Sequence, residues 1–538
     1  MKISISVFLL LSSINAIAQN GSITLTPKGV RNENVNLQIG QDSFRFNTTG
    51  SSNIALGALA LEFNTEGSSN IAAGLFALQQ NTTGTENVAI GVNALQYNRT
   101  KSGNIAIGAD ALKNANSSVI TGFSDNIAIG KSALRGSNTT SANTGVSNIA
   151  IGRNALIANT SGSSNIALGL QTLFVNTDGA NNIAIGNSAL EGNTGNNNTA
   201  VGISAATFNS TGSDNTALGR AALYSIGPKS GNTAIGSRAM YYYKGNNTAS
   251  STNNTAIGYN ALLGGATIAN NTGINNTAIG ANALKENTAA NLNVAIGNDA
   301  LADQSFANGG NAFDAYNVAV GAYALRHNQP ASTTTGVKNT AVGGRALENN
   351  LGQDNVAVGY NAGSLNTSGY QNTLIGTNSS SFDGLYNTIA LGYSAMVNAS
   401  NKAVIGNASM TTVGGYGNWS NYSDKRLKEN ISYTDRLGLD FILKLKTASY
   451  NYRQDEHKRR RDGLIAQDVQ ALMNELDLPF SGLVEDNDAQ KTLNLAYADF
   501  VIPLINAIKE QQKQIEQLQK ENRLFKVEIE TLKTGNKP

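Results

Sequence analysis

The chain has 538 residues, of which 14% are charged, with a formal net charge of +2 and no cysteine. That charged share is far below the roughly 25% usual for globular domains. The near-neutral balance gives no general attraction for nucleic acid, and the missing thiols exclude disulfides and cysteine chemistry.

The chain opens with the pattern of a secretory signal: Lys2 as the positive end, Ile3 to Leu11 as the apolar run, and Ala16-Ile17-Ala18 as a small-x-small cleavage site. The apolar run is too short to span a bilayer, and no other stretch is long and apolar enough. The expectation is a signal peptide over 1–18, cleaved after Ala18, and a secreted or surface-held product with no membrane-spanning segment. An N-terminal segment, 19–50, carries a predicted strand from Ser22 to Thr26 and a turn at Pro27-Lys28-Gly29.

A nonapeptide then recurs from 51 to 396. Its clearest copy is Asn87-Val88-Ala89-Ile90-Gly91-Val92-Asn93-Ala94-Leu95, and successive leading asparagines are mostly 17 or 22 residues apart. A fixed period in the high teens predicts stacked coils rather than one globular core. Apolar–small–apolar alternation predicts a short strand. The two aliphatics are expected to face inward, the fourth position deepest, and Ala to face out, where it would let another surface approach closely. Gly should end the strand at positive φ, and stacked asparagines should form a hydrogen-bonded ladder. The predicted fold class is mainly β: a repetitive parallel β-solenoid or β-roll fibre, followed by a small α/β domain ending in a coiled coil. The longer steps fall in adjacent pairs, so the added residues should build raised patches. One holds Tyr241-Tyr242-Tyr243-Lys244 and another Phe306, Phe313 and Tyr316; these aromatics read either as local packing or as platforms for a ligand such as a glycan.

A neck, 397–422, includes the single tryptophan, Trp419. Beyond it the chain becomes charged, with a predicted strand from Ala448 to Arg453 and a helix from Ile465 to Leu476. The basic run His457-Lys458-Arg459-Arg460-Arg461 falls between them, where a hairpin should turn, and reads as a solvated loop rather than a nucleic-acid patch. From 501 to 535 a heptad pattern places Val501, Ile508, Ile515, Asn522 and Ile529 at a, and Leu504, Gln511, Leu518, Phe525 and Leu532 at d. A coiled coil follows, with an intramolecular helical hairpin as the alternative.

Residues 423–535 resemble the C-terminal intramolecular chaperone domain of endosialidase-type phage tailspikes and tail fibres, an auto-processing peptidase. The matching residues are Ser423-Asp424-x-Arg426-x-Lys428-x-x-Ile431, Gly463-Leu464-Ile465-Ala466-Gln467-Asp468-Val469, Tyr497, and Ile508-Lys509-Glu510. The resemblance implies a domain at 423–500 that gathers three chains, guides folding of the preceding β-structure, and cuts at its own start with the Ser423–Lys428 pair. The repeats, separately, resemble the heads of trimeric adhesins. A serine hydroxyl needs a base to take its proton. A lysine can serve only when neutral, which burial or neighbouring cations such as Lys425 and Arg426 favour. The plain alternative is that Ser423 caps a helix with Asp424 in its first turn.

Two functions compete on these grounds. One is a secreted homotrimeric fibre or adhesin, matured by its own chaperone, with a cell-surface glycan or other surface receptor as a possible partner. The other is a tailspike-like solenoid enzyme degrading surface polysaccharide, which would need two facing carboxylates. Asp303 and Asp314 share one insertion, but no pair recurs, and His327 and His457 lie far apart in sequence. No metal or cofactor motif is present, and the fibre is the favoured reading.

Overall fold

The computed structural model describes the backbone of 23–24 and residues 36–115, 121–139, 142–243, 248–416, 420–453, 455, 457–488 and 490–535. The expected signal peptide, the Pro27 turn, Lys244 and Trp419 lie outside the described residues. Ile23–Thr24 is a short strand inside the predicted one. The chain divides into two compact units, 1–367 and 368–538.

The first unit is a parallel β-solenoid. Each Asn-x-Ala-x-Gly contributes a three-residue strand that pairs in parallel with the next copy, alanine against alanine. Ala89 lies against Ala106, and Ala167 against Ala184. Gly91 ends its strand at φ +131°, and a Cβ there would lie 2.6 Å from the Gly108 carbonyl oxygen. The corner therefore requires glycine, as the sequence implies. Other corners use left-handed residues that carry side chains, among them Glu86, Asn93 and Leu95. The added residues of the longer steps extend the stacking, because Lys101–Ser102 pairs with Gly122–Phe123, Lys229–Ser230 with Ser250–Ser251, and Ala290–Asn291 with Phe313–Asp314.

The expected asparagine ladder is present. Asn165 donates its backbone N–H and its side-chain amide to Asn148 Oδ1 at 3.0 and 3.1 Å, and donates again to the Gly179 carbonyl at 2.8 Å. Its own Oδ1 accepts the same two bonds from Asn182. A second file runs through Asn47, Asn64, Asn81 and Asn98, each amide donating to the previous Oδ1.

The expected orientation of the strand is reversed. Ala89, Ala94 and Leu95 are fully buried, Val88 is half-buried, and Ile90 is 41% exposed. The same order, alanine in and aliphatics out, holds in copy after copy. The reason is bore width. The fully buried Ala94 and Leu95 of the same coil already fill the interior, so little more than a methyl fits on the strand side. The fourth position, expected to be deepest, is among the most exposed.

The second unit opens with parallel strands Thr373–Ile375, Ile389–Leu391 and Ala403–Ile405. A small α/β body follows. Helix Leu439–Lys444 leads into the antiparallel hairpin Thr447–Tyr450/Arg461–Leu464, helix Ala466–Leu476, and a second hairpin, Leu483–Glu485/Leu493–Leu495. Phe441, Val469, Leu472, Phe480 and Phe500 form its core. The predicted first strand and helix are present with shorter bounds. The terminal helix runs unbroken from Val501 to Gly535, which removes the helical-hairpin alternative. Its start packs on the small body, with Asn506 and Ala507 buried, whereas the seam residues Ile508, Ile515, Leu518, Phe525, Ile529 and Leu532 are exposed.

Asn165→Ala should leave the buried N–H of Asn182 without its acceptor and its amide with only the Gly195 carbonyl, and cost about 1–3 kcal/mol. In a stack of coils the damage stays with the neighbours. Hydrogen exchange should therefore accelerate at amides 149–151 and 183–185 and remain unchanged near 88–90; uniform acceleration would contradict a ladder that acts coil by coil.

Candidate functional site

Ser423 and Lys428 flank a single 3-10 turn, Lys425–Leu427. Asp424 caps that turn, its Oδ1 accepting from the Arg426 N–H at 2.8 Å. Arg426 also closes on the same carboxylate, with Nη2 to Oδ2 at 2.6 Å, and this pairing holds the Asp424 carboxyl below its ordinary range. The chain leaves the turn extended at Lys428 (φ −123°, ψ 142°). That geometry brings the lysine side chain back across the turn, with Nζ 2.9 Å from Ser423 Oγ. The capping role considered for Ser423 thus belongs to Asp424. Arg426, expected to act on Lys428, is engaged by Asp424 instead. Every residue from 420 to 436 is exposed.

The other motif residues build the body beside this segment. The Leu464 N–H donates to Tyr497 Oη at 2.8 Å, and a Cβ at Gly463 would lie 2.5 Å from that same oxygen. Val469 is in the core. Glu510, on the terminal helix, accepts from the Leu439 N–H at 2.7 Å. It thereby caps a helix whose N-terminal Gly438 offers no side chain.

The basic run lies at the tip of the first hairpin. Arg459 pairs with Asp455, Nε to Oδ2 at 2.9 Å, and Arg460 donates to Ser449 Oγ at 2.8 Å. The Arg459 hydrogen bond brings the Asp455 carboxyl down to about 2. A carboxylate depressed in the folded state stabilises it above the unfolded value and stops doing so as pH falls through the folded one. Exchange protection at the hairpin tip should therefore persist at pH 5 and decline between about pH 4 and 2.

The paired acids of the polysaccharide-cleaving alternative have separate partners. Asp303 Oδ2 meets His327 Nδ1 at 2.6 Å, while Asp314 accepts from Asn291 at 3.0 Å and from Tyr316 Oη at 3.2 Å. Among the aromatics, Tyr243 is buried and donates to the Gly273 carbonyl at 2.7 Å, which makes it internal packing. Tyr241 stacks face to face on Tyr224 with centroids 4.8 Å apart, and Phe306 meets Phe313 edge-on.

Sequence reasoning missed one contact pair. Lys402, just before the strand Ala403–Ile405, reaches Asp486 on the second hairpin at 2.5 Å, and Asn398 donates to Asp488 at 3.0 Å. The Asp486 side chain is only 7% exposed. Lys402→Ala would leave a covered carboxylate without its cation, a change that costs up to about 3 kcal/mol where both partners are buried and less at this partly open lysine. Amides of 483–485 and 493–495 should exchange faster in that variant; unchanged protection would show that the pair does not hold the hairpin.

Among the described residues no helix is long and apolar enough to cross a membrane. No curated protein matches the chain. Residues 423–478, which begin at the serine of the Ser–Lys pair, match the family described as chaperone of endosialidase, peptidase family S74.

Proposed function

We propose that this protein is a secreted homotrimeric fibre or adhesin whose C-terminal domain assembles the chains and then cuts itself off at the Ser423 boundary. The observation that carries the reading is the 2.9 Å approach of Lys428 Nζ to Ser423 Oγ at the first residue of the matched segment. In the proposed step Lys428 takes the hydroxyl proton as Ser423 Oγ attacks the carbonyl carbon of the boundary peptide bond. The proton passes to the departing amine, and water releases the ester that remains. A lysine can do this only when neutral, and burial favours that form. Both residues are exposed in the single chain. Covering them when chains gather would tie the cut to assembly, so that only assembled fibres mature.

The exposed a and d residues of the terminal helix support a coiled coil as the gathering element. Solenoid strands pair with the next coil, 17 or 22 residues away, and an unfinished stack shows bare strand edges, so they benefit from chains held together early. Once the chaperone is gone, refolding would be slow and the product protected by its unfolding barrier. The signal-like N-terminus supports export, and a surface glycan or other receptor is the proposed partner. The separate engagement of Asp303 and Asp314 favours this reading over a polysaccharide-cleaving one.

The test is expression of wild type, Ser423→Ala and Lys428→Ala with protease inhibitors present. Wild type should release a piece of about 115 residues, and each variant should accumulate full-length chains that still assemble. Processing of Ser423→Ala at the wild-type rate would remove Ser423 as nucleophile. Truncation before Val501 should leave uncut, aggregating chains.

A further inference from the structure

Parallel sheets are normally covered on both faces. In the first unit one face of the strand ladder is covered by the wall that carries Ala94 and Leu95, and the other is bare. Every strand of that ladder, from Leu37–Ile39 to Val356–Val358, presents its first and third side chains outward, and none of these is charged. They are isoleucine, leucine, valine and threonine, with one alanine at position 73 and no other type. The row that follows the corner glycine is also exposed in many copies, yet it mixes Val92 and Leu170 with Lys131, Arg153 and Arg220. Of these two exposed rows, only the strand face is free of charge.

We infer that the outward face of this strand ladder is the surface on which a second copy of the chain packs. The inference rests on the self-association in the proposed function and adds the surface that makes it. Two features identify the occupant. The first is period: the aliphatic rows repeat at the strand spacing of about 4.8 Å along the whole ladder, and another copy of the same ladder matches that spacing at every coil. The second is area: at roughly 50 Å² of open apolar surface per outward side chain, the face exceeds the roughly 800 Å² per partner of a stable interface. It also exceeds the 300–600 Å² patch a solitary soluble protein tolerates. From Thr199 to Thr277 the first position is threonine while the third stays aliphatic. Over those coils the third-position row, with Leu218 46% exposed, is the apolar part of the contact.

Because the chain lacks cysteine, a single introduced thiol reports its own surroundings. Ile185→Cys places one on the strand face, where Ile185 is exposed in the single chain. Asp178→Cys places one on an exposed turn of the neighbouring coil. With the full chain, a maleimide should label the Ile185→Cys protein at least ten-fold more slowly than the Asp178→Cys protein, and light scattering should give a multimer for both. Ile185→Asp combined with Leu218→Asp should lower the assembled mass while leaving the far-ultraviolet spectrum unchanged. Equal labelling rates in a preparation that scatters as a multimer would overturn this surface and leave self-association standing. A wild-type protein that scatters as a monomer would overturn both.

Discussion

The first unit depends on one constraint, which is that the buried asparagine leading each strand finds partners for both ends of its amide. In water these groups cost nothing; in a bore lined with methyls each unpaired one costs on the order of 1–3 kcal/mol. The solenoid meets that demand only by stacking. Asn165 receives from the coil after it what it gives to the coil before it, so its side chain is satisfied only between neighbours in register. A slip of one residue would exchange alanine for isoleucine in the bore and break the asparagine file together. Polar specificity and apolar packing thus fix the same register. That agreement lets a chain with few charges and no disulfide hold a single extended arrangement.

The ladder, the glycine corners and the coil period were legible because each leaves a residue at a fixed position: Asn87, Gly91, Leu95. The orientation of the strand was not. Period-two alternation says that Val88 and Ile90 share a face and Ala89 takes the other, but it carries no information about which face is inside. The habit of placing large aliphatics inward fails because the bore is only as wide as the opposite wall permits. The clue was Leu95. A buried leucine at φ +52° accepts a backbone cost of about 1–2 kcal/mol, which full burial of its side chain at about 2 kcal/mol offsets. Leu95 is therefore the side chain that fills the coil, and a second large residue facing it would have no room. Among the aromatics, Tyr243 turned inward while Tyr241 stacked on its neighbour, a distinction that adjacent identical residues cannot reveal.

In the second unit the reverse holds. The spacing of Ser423 and Lys428 was legible and its setting was not. Five residues separate Ser423 from Lys428, and a turn with an extended exit is one of several geometries that close such a gap. The cap on Asp424 selects it, because a carboxylate that satisfies the Arg426 N–H also holds the Arg426 side chain. The contact of Lys402 with Asp486 could not be read at all, since 84 residues separate the partners and neither carries a motif. Glu510 was quoted as part of a pattern, but its work as a cap for the helix at Leu439 emerges only when the terminal helix is laid against the small body.

The two units place opposite demands on water. The bare strand face loses free energy for every aliphatic row it shows to solvent, so covering it favours association wherever the coils are formed and in register. The proposed cut at Ser423 responds to water as well, because a lysine acts as a base only when neutral and burial favours that form. In the proposed homotrimer, the association that covers the strand face would also gather three copies of the chain. Desolvation would then drive the assembly and, in the proposed function, permit the cut. On that reading a chain whose coils are misregistered would present isoleucine rows that do not match a neighbour's spacing and would gather poorly, with Lys428 left exposed as it is in the single chain. Coupling of this kind would need no separate sensor of correct folding, since the register of the coils and the cut would both depend on access to water.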